Sequence, residues 1–404
     1  MSNSGRPDNI LIVDDTPANL QVLAGMLKDR GYKVRPVPSG KLALLAARRE
    51  PPDLILLDIN MPEMNGYEVC QQLQADPVLR GIPVIFISAL TEQLDKVKAF
   101  ATGGVDYITK PFQMEELHAR VQTHLKLRHL QTELEETNAR LAKANARMSR
   151  DLKAAAKIQE SFLPRGVTIP GTHVAWVFRP CDELAGDGLN IIRLGDGKVG
   201  LYILDVSGHG VASALLSVTL SRLLSPPSEP SSILVEGKDD EGRGFITSPA
   251  EVAKLLNQLF PFDSATEQFA TLLYGILDCE NGEFRYVSAG HPGPVHLPAG
   301  ADPTILQSEG FPIGIADEPF EERTILLEKG DRMYIYSDGV PEAMDHDGQQ
   351  FGDGRLLAAI GQGRSDTLYG GVEALVGKIS AWRGGRSAHD DVSILAIEIA
   401  AVCD

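Results

Sequence analysis

Short apolar runs alternate with amphipathic segments over residues 9–125 of this 404-residue chain, and that alternation restricts the fold more than any other feature. The strand-like runs are residues 10–13, 33–37, 54–57, 84–87 and 106–108. Helical patterns lie between them, and the first is expected to begin with Thr16 as its N-cap and Pro17 as its first residue. The alternation predicts an α/β domain with a doubly wound, five-stranded parallel sheet, whose ligands bind at the carboxyl ends of the strands.

Polar side chains stand where these predicted strands end. They are Asp14 and Asp15 after the first strand, Asp58 at the third, Ser88 at the fourth and Lys110 at the fifth. Carboxylates that meet at one sheet edge repel each other unless a cation joins them, and Mg²⁺ prefers such oxygen ligands. A lysine and a hydroxyl beside them can hold phosphoryl oxygens. The sequence therefore predicts a site that transfers a phosphoryl group onto a carboxylate.

This segment resembles the receiver domain of two-component response regulators. The resemblance rests on VDD at 13–15, LLDINMPEMNG at 56–66, ISA at 87–89 and YITKPF at 107–112. It implies Asp58 as phosphoacceptor, and Mg²⁺ held by Asp14, Asp15, Asp58 and the Asn60 carbonyl. It also implies that Ser88 and Lys110 contact the phosphoryl group, that Tyr107 is the switch aromatic, and that the Lys110–Pro111 bond is cis. The implied partner is a histidine kinase or a small phosphodonor. A receiver fold that has lost phosphorylation is the alternative, although every side chain that the chemistry needs is present.

Residues 126–163 carry a heptad pattern. One series contains Leu127, Leu134, Leu141, Met148, Ala155 and Phe162, and its companion contains Leu130, Thr137, Ala144, Asp151 and Ile158. Thr137 and Asp151 interrupt the apolar seam. Two interpretations remain, namely one long helix packed on its own domains and a parallel dimeric coiled coil, and the second is favoured. Pro164 and Gly166 end the helix.

Aspartates in glycine-rich turns mark the second half of the chain. They lie in AGDG at 185–188, LDVSGHG at 204–210, YSDGV at 336–340 and HDDVS at 389–393, each next to an apolar strand-like run. Several carboxylates without paired cysteines or a histidine cluster indicate a hard cation, Mg²⁺ or Mn²⁺. Each Asp-Gly pair taken alone is equally consistent with a simple turn. The remaining pattern is mostly short strands with two or three helices.

The ordered set resembles the PPM family of metal-dependent phosphatases, in its SpoIIE/RsbU-type branch. Further matches are AAKIQESFLP at 155–164, FATLLYGILD at 269–278, SAGHPGP at 288–294, GFPIG at 310–314 and GDRMYIYSDGVPEA at 330–343. The resemblance implies an α+β, αββα sandwich around two Mn²⁺ or Mg²⁺ ions. It implies Asp187, Asp205 and Asp338 as catalytic metal ligands, Asp205 as the bridge, a contribution from the Val206 carbonyl, and a fourth ligand from Asp390 or Asp391, with Asp390 preferred.

Some features depart from that family or have no assigned chemistry. Asn190 stands where many relatives carry a further aspartate. His209 and His291 are expected to make structural hydrogen bonds. Residues 225–248, rich in Ser, Pro and Gly, are expected to be a surface insertion outside the core, either a lid or substrate guide or a loop without function.

Composition excludes several classes of protein. A formal net charge of −17 argues against a nucleic-acid surface. There is no membrane-length apolar stretch and no signal-like N-terminus, so a cytoplasmic location is expected. The cysteines are widely separated and suggest no metal knuckle: Cys70, Cys181, Cys279 and Cys403.

The sequence as a whole predicts a receiver domain at 9–125, a helical coiled-coil linker at 126–163 and a metal-dependent phosphatase domain at 164–404. In this hypothesis, phosphorylation of Asp58 controls hydrolysis of phosphoserine or phosphothreonine on a partner protein. The resemblance suggests a STAS-type anti-sigma-factor antagonist as that partner. The main alternative is a non-catalytic adaptor that binds a signalling partner. A DNA-binding response regulator is disfavoured by the acidic charge.

Overall fold

The structure is a computed structural model that describes residues 6–88, 93–166, 168–237, 244–262, 267–386 and 388–400. Three sequence predictions fall partly or wholly outside these residues: Ala89 of the ISA motif, residues 238–243 of the 225–248 segment, and Cys403. The chain divides into two compact units, Met1–Ala146 and Arg147–Asp404. No helix among the described residues is long and apolar enough to cross a membrane.

The first unit contains the predicted parallel sheet. Its strands are β1 Asn9–Val13, β2 Lys33–Val37, β3 Leu54–Asp58, β4 Val84–Ser88 and β5 Asp106–Thr109, in the order β2-β1-β3-β4-β5. Its helices are α1 Pro17–Lys28, α2 Gly40–Arg49, α3 Gly66–Ala75, α4 Gln93–Ala101 and the start of α5 Met114–Gln159. All residues of β1, β3 and β4 are buried, because apolar clusters cover both faces of the sheet. The predicted α/β fold of this unit is confirmed.

The start of α1 differs in detail from the prediction. Pro17 is the first helical residue and Thr16 occupies the N-cap position, but the Thr16 side chain makes no cap hydrogen bond. Instead, the Thr16 main-chain N–H donates to Oδ1 of Asp14 at 2.8 Å. The residue therefore helps to orient an acidic side chain.

Helix α5 runs without interruption for 46 residues and continues into a 3₁₀ turn, Glu160–Phe162. No glycine or proline occurs between Met114 and Gln159, so nothing in the sequence ends the helix earlier. The predicted linker boundary at residue 126 falls inside it. More than half of the side-chain surface is exposed at four seam residues: Leu127, Leu134, Leu141 and Met148. Within the described part of the chain, these positions are left largely uncovered.

The second unit contains two antiparallel five-stranded sheets. The first has the order β15-β12-β11-β8-β7 and the second β14-β13-β16-β17-β6. The strands are β6 Thr172–Arg179, β7 Gly188–Gly195, β8 Lys198–Val206, β9 Val235–Glu236, β10 Phe245–Ile246, β11 Ala270–Asp278, β12 Glu283–Ala289, β13 Val295–Leu297, β14 Thr304–Ile305, β15 Glu322–Leu326, β16 Arg332–Tyr336 and β17 Val392–Ile399. Strands β9 and β10 form a separate two-stranded ribbon.

Helices cover the outer face of each sheet. They are α6 Val211–Leu223 and α7 Pro249–Leu259 on the first sheet, and α8 Gly352–Gln362 and α9 Leu368–Arg383 on the second. A third apolar cluster fills the space between the sheets, with Leu201 and Ile203 from one and Ile335 and Leu395 from the other. The predicted αββα sandwich is confirmed. The described part of this unit has four α-helices, so the expectation of two or three was too low.

The 225–248 segment is more deeply packed than its composition predicted. Leu234 is fully buried in the cluster beneath α6 and α7. The Ile233 N–H donates to the Leu223 carbonyl, and the Thr247 N–H donates to the Leu234 carbonyl. The expectation that the segment lies outside the core was therefore wrong at Leu234, because a single apolar residue can anchor a stretch that is polar on average.

Candidate functional site

The acidic strand ends of the first unit meet in one cluster. Ligand oxygens of Asp14, Asp15 and Asp58 lie within 4.8 Å of one another. Asp14 and Asp58 are buried, and Asp15 is exposed. The Lys110 ammonium lies 2.9 Å from Oδ2 of Asp14 and 3.1 Å from Oδ2 of Asp58. The parallel sheet brings these residues together because β1, β3 and β5 all end at the same edge.

Burial and like charge govern this cluster. Burial raises the pKa of Asp58, the Lys110 ammonium opposes that shift, and Asp14 and Asp15 add to it. Asp14 accepts further hydrogen bonds from the Asn19 amide at 3.0 Å and from the Thr16 N–H. A divalent cation would offset the repulsion between the carboxylates, and all of the ligand atoms are oxygens. The cluster therefore fits Mg²⁺.

The other predicted receiver residues lie around this edge. Ser88 ends β4 and is buried, and its carbonyl accepts from the Lys110 N–H at 2.8 Å. Tyr107 is half-buried on β5, with the Phe100 ring edge-on at 6.3 Å. Asn60 is exposed two residues after Asp58. The Lys110–Pro111 bond is cis, as predicted.

The aspartates of the second unit lie at the ends of strands from both sheets. Asp187 directly precedes β7 and Asp205 is the next-to-last residue of β8, both in the first sheet. Asp338 follows β16 by two residues, and Asp390 and Asp391 directly precede β17, both in the second sheet. Two glycines allow the close approach: a Cβ at Gly186 would lie 2.8 Å from the Val206 carbonyl oxygen, and one at Gly339 would lie 2.0 Å from the Asp391 carbonyl oxygen.

These carboxylates repel each other across the site. Burial raises the pKa of Asp205 to about 8, with further contributions from Asp338 and Asp390. Burial also raises the pKa of Asp338 to about 6, again with a contribution from Asp390. The pKa of Asp187 is raised well above its usual value, by burial first and then by Asp205. Such shifts mean that the ionised set is unfavourable without a compensating cation.

Asp187 supplies the clearest test of whether the residues fit a metal. The side chain is buried, and its Oδ2 atom has no hydrogen-bond partner among the residues that the structure describes. A buried carboxylate oxygen without a partner is costly, and a divalent cation would satisfy it. Among the described residues, two groups have three ligand atoms within 4.8 Å of one another: the receiver trio, and the group of Asp345, His346 and Asp347. The aspartates of the second unit are therefore spaced more widely than the receiver trio. Because all of these donor atoms are oxygens, the donor set fits hard cations such as Mg²⁺ and Mn²⁺.

Adjacent Asp390 and Asp391 have different surroundings. Oδ1 of Asp391 accepts from the Cys181 N–H at 2.8 Å, and its Oδ2 accepts from the N–H groups of Gly186 at 2.7 Å and Asp187 at 3.2 Å. Asp391 is buried, whereas Asp390 is exposed. The Asp391 carboxylate thus fixes the turn that carries Asp187, and the Asp390 carboxylate is the more available for a cation.

The sequence reasoning missed two residues at this site. Gln159, in the last turn of α5, is 7% exposed and bonds both main-chain groups of Ala185. Glu342 contributes to raising the pKa values of Asp205, Asp338 and Asp390. Both residues lie inside the quoted motifs at 155–164 and 330–343, so the signal was present. Neither has a spacing or composition that separates it from its neighbours.

His209, His291 and Asn190, which the sequence analysis singled out, and the acidic loop at Asp345 make contacts within the protein that do not require a cation. Nδ1 of His209 lies 3.6 Å from Oδ2 of Asp182, and the His209 side chain is largely exposed. Both ring nitrogens of His291 are hydrogen-bonded in the interior. Oδ1 of Asn190 accepts from the N–H of Ile191 at 2.8 Å. The loop at Asp345 is a turn in which Oδ1 of that residue accepts from the N–H groups of Asp347 and Gln349.

Comparison with known proteins identifies relatives for both units. Residues 195–400 match the family model described as Stage II sporulation protein E (SpoIIE), and residues 10–122 match the response regulator receiver domain. Response regulator PleD of Caulobacter vibrioides is 39% identical over 130 residues, which is 32% of this chain and 29% of PleD. The DNA-binding response regulator MtrA of Mycolicibacterium smegmatis is 40% identical over 117 residues, 29% of this chain and 50% of MtrA. The match thus spans half or less of each of these relatives.

Among solved structures, the SiaA-PP2C domain of Pseudomonas aeruginosa superimposes with a TM-score of 0.54. The superposition covers 64% of this chain and 99% of that domain, at 20% sequence identity. At this identity the likeness concerns the fold alone.

Proposed function

The chain belongs to the Stage II sporulation protein E family and joins a response regulator receiver domain to a PP2C-type phosphatase domain, and from this premise we propose that it is a phosphorylation-controlled, metal-dependent protein phosphatase. In this proposal the receiver spans 9–125, the linker 126–163 and the phosphatase 164–404. The substrate is a phosphoserine or phosphothreonine on a partner protein. A STAS-type anti-sigma-factor antagonist is the proposed partner, and that identity rests on the family resemblance alone.

One observation carries the proposal. Within the described part of the chain, the buried Oδ2 atom of Asp187 has no hydrogen-bond partner, and the nearby carboxylates of Asp205 and Asp338 have raised pKa values. Two divalent cations would be held by Asp187, Asp205, Asp338, Asp390 and the Val206 carbonyl, with Asp391 fixing the Asp187 turn. Bound Mn²⁺ or Mg²⁺ supplies Lewis-acid polarisation of the phosphoryl group and lowers the pKa of water. The protein's own residues bring these oxygens to one site, where a bound cation would offset the raised pKa values, and no serine or cysteine nucleophile is required.

Asp58 is the proposed phosphoacceptor in the receiver. Its carboxylate is paired with Lys110 at 3.1 Å and lies beside Asp14 and Asp15, which would hold Mg²⁺ with the Asn60 carbonyl. Lys110 and Ser88 would then contact the phosphoryl oxygens. A histidine kinase or a small phosphodonor supplies the phosphoryl group, and Tyr107 on β5 responds to it.

Helix α5 is the proposed route between the two sites. It starts beside β5 in the receiver unit and ends at Gln159, which bonds the residue two positions before Asp187. Its exposed seam of Leu127, Leu134, Leu141 and Met148 would form a parallel homodimer. A change in receiver state can act on the phosphatase only by shifting the equilibrium of an element that has two arrangements. We propose that α5 is this element and that its position differs between the two receiver states.

Hydrolysis of a phosphomonoester such as p-nitrophenyl phosphate with added Mn²⁺ tests the phosphatase half. Asp338→Ala is expected to lower the rate by about three orders of magnitude, because it removes a ligand needed to activate water. Asp353→Ala, an exposed residue of α8, is the control. Activity that survives both chelation and Asp338→Ala would discard the metal-dependent phosphatase assignment. A wild-type chain without activity in the presence of Mn²⁺ would favour the non-catalytic adaptor.

Acetyl phosphate labelling tests the receiver half. Asp58→Asn is expected to abolish the acyl-phosphate and, with it, the change in phosphatase rate on labelling, whereas Asp29→Asn on the receiver surface leaves both in place. Labelling that persists in Asp58→Asn would reassign the phosphoacceptor.

A further inference from the structure

The His291 side chain lies in the turn where the chain crosses from the first sheet of the phosphatase unit to the second, between β12 and β13. It is 2% exposed, and both ring nitrogens have partners. Nδ1 lies 2.8 Å from the Thr271 hydroxyl on β11, and Nε2 lies 3.1 Å from the Tyr336 carbonyl oxygen on β16. One imidazole thus bonds a strand of each sheet.

The partners fix the tautomer of this ring. A main-chain carbonyl can only accept, so Nε2 carries the hydrogen and donates to Tyr336. In the neutral ring, Nδ1 is then an acceptor, and the Thr271 hydroxyl donates to it. Complete burial lowers the pKa of His291 to about 4, which keeps the ring neutral at physiological pH.

Both partners are next to proposed metal ligands. Thr271 is the register partner of Asp205 across β11 and β8. Tyr336 is the last residue of β16, two positions before Asp338. The pairing of β13 with β16 ends at Val295 and Tyr334. The Tyr336 carbonyl lies two residues further along the same edge of β16, and it accepts its hydrogen bond from His291 instead of from a main-chain N–H of β13.

The main chain around His291 is held in its own right. The Ser288 hydroxyl donates to the His291 carbonyl at 2.7 Å, and the Ser308 hydroxyl donates to the same oxygen. Gly290 forms a bridge with Leu272 of β11, and a Cβ at Gly290 would lie 2.5 Å from the Pro312 side chain. The main chain at His291 is therefore held in place, and this fixes the position of the ring relative to Thr271 and Tyr336.

We propose that His291 is a positioning residue that ties the two sheets together at the metal centre and sets the separation between Asp205 and Asp338. The inference rests on the proposed function, since it concerns the affinity of that centre for divalent cations. Asp205 and Asp338 lie on different sheets. Among the described residues, His291 is the side chain that hydrogen-bonds both β11, which pairs with the strand of Asp205, and β16, which leads to Asp338. Without it, one hydrogen-bonded link between these strands is lost, and the repulsion between the two carboxylates favours a wider separation.

Calorimetric titration of the full chain with Mn²⁺ tests this inference. His291→Phe keeps an aromatic ring but removes both hydrogen bonds, and a dissociation constant at least tenfold higher is expected. His291→Gln keeps an amide donor for the Tyr336 carbonyl and is expected to recover part of the affinity. Thr271→Val, which removes only the hydroxyl, is expected to weaken binding severalfold and supplies a second measurement should His291→Phe fail to fold.

His296→Phe is the matched control. Nε2 of His296 lies 2.8 Å from Oδ2 of Asp331, which precedes the opposite end of β16 from Asp338. A purely structural role predicts that His291→Phe and His296→Phe both lower the unfolding midpoint while Mn²⁺ affinity stays unchanged, and that result would overturn the inference alone. A wild-type chain that binds no Mn²⁺ would overturn the metal centre and this inference together.

Discussion

The Gln159 side-chain amide and the Ala185 main chain form a reciprocal pair of hydrogen bonds. Nε2 of Gln159 donates to the Ala185 carbonyl at 2.7 Å, and Oε1 accepts from the Ala185 N–H at 3.1 Å. The pair is buried, and Ala185 begins the turn that carries Asp187. Ser217 of α6 reaches the same turn, because its hydroxyl donates to the Asp187 carbonyl at 3.0 Å. The end of the long helix therefore holds the main chain next to a proposed metal ligand.

Gln159→Ala is expected to lower phosphatase activity at least tenfold and to raise the Mn²⁺ concentration needed for half-maximal rate. Each lost hydrogen bond contributes about 1 kcal/mol, and the Ala185 groups are left buried without partners. The measurement is the rate of phosphomonoester hydrolysis across a Mn²⁺ titration. Gln131→Ala, the same substitution at an exposed position of α5, is the control. Equal rates and equal Mn²⁺ dependence for the two variants would show that the Gln159 contact does not support the metal site.

The strand ends of the receiver could be predicted from sequence because β1, β3 and β4 are buried runs that end in, or are followed by, a polar residue of the site. The long helix was predicted in part, since its heptads are periodic. Its true start at Met114 was missed because the receiver's last helix and the linker form one uninterrupted element. The aspartates of the second unit were predicted correctly to lie at strand ends, because each follows or precedes an apolar run in the sequence. Sequence alone could not decide which of Asp390 and Asp391 is available to bind a cation.

Other features depend on contacts that the local sequence pattern does not specify. Gln159 and Ala185 are 26 positions apart and become neighbours only through the packing of the 3₁₀ turn against β7 and α6. His291 was expected to make structural hydrogen bonds, but its link to both sheets depends on the register of β11 and on where β13 ends. The burial of Leu234 could not be predicted, because the residues around it in the sequence are mostly polar. Tertiary contacts of this kind are not encoded in local pattern.

Asp390 and Asp391 are expected to respond differently to the same substitution. Asp391→Asn places an amide where one carboxylate accepts from the N–H groups of Cys181, Gly186 and Asp187, so the free energy of unfolding should fall by about 2–4 kcal/mol. Asp390→Asn should not lower the unfolding midpoint of the metal-free protein, because it removes one of the repelling charges, and it should weaken Mn²⁺ binding. Thermal unfolding with a chelator and Mn²⁺ titration separate the two effects. A reversed result would exchange the roles of these aspartates.

The raised pKa of Asp205 predicts an inverted pH dependence for the metal-free protein. Its pKa rises from 3.8 to about 8 in the folded chain, so the folded state binds more protons than the unfolded state between these values. The free energy of unfolding should therefore decrease as pH rises from about 4 to about 8. With a chelator present, the unfolding midpoint should fall by at least a few degrees, because about 1 kcal/mol corresponds to about 2–4 °C in a domain of this size.

Asp205→Asn should flatten this pH dependence, since the amide does not titrate. Saturating Mn²⁺ should reverse it, because cation binding requires deprotonated carboxylates and strengthens with pH. Metal-free protein that gains stability over the same interval would contradict the mutual repulsion of these aspartates.

The exposed seam of α5 predicts a dimer that depends on leucines. Leu134→Glu combined with Leu141→Glu should raise the dimer dissociation constant more than about 100-fold, because each buried leucine contributes about 1.5 kcal/mol or more and the new carboxylates repel across the seam. Sedimentation velocity over a concentration series measures the change. Ala139→Glu combined with Ala142→Glu adds the same charge to positions of the helix outside the seam and should leave the dimer intact. Wild-type chains that remain monomeric at high concentration would leave the seam without a second copy, and control through α5 would then have to operate within one chain through the Gln159 contact alone.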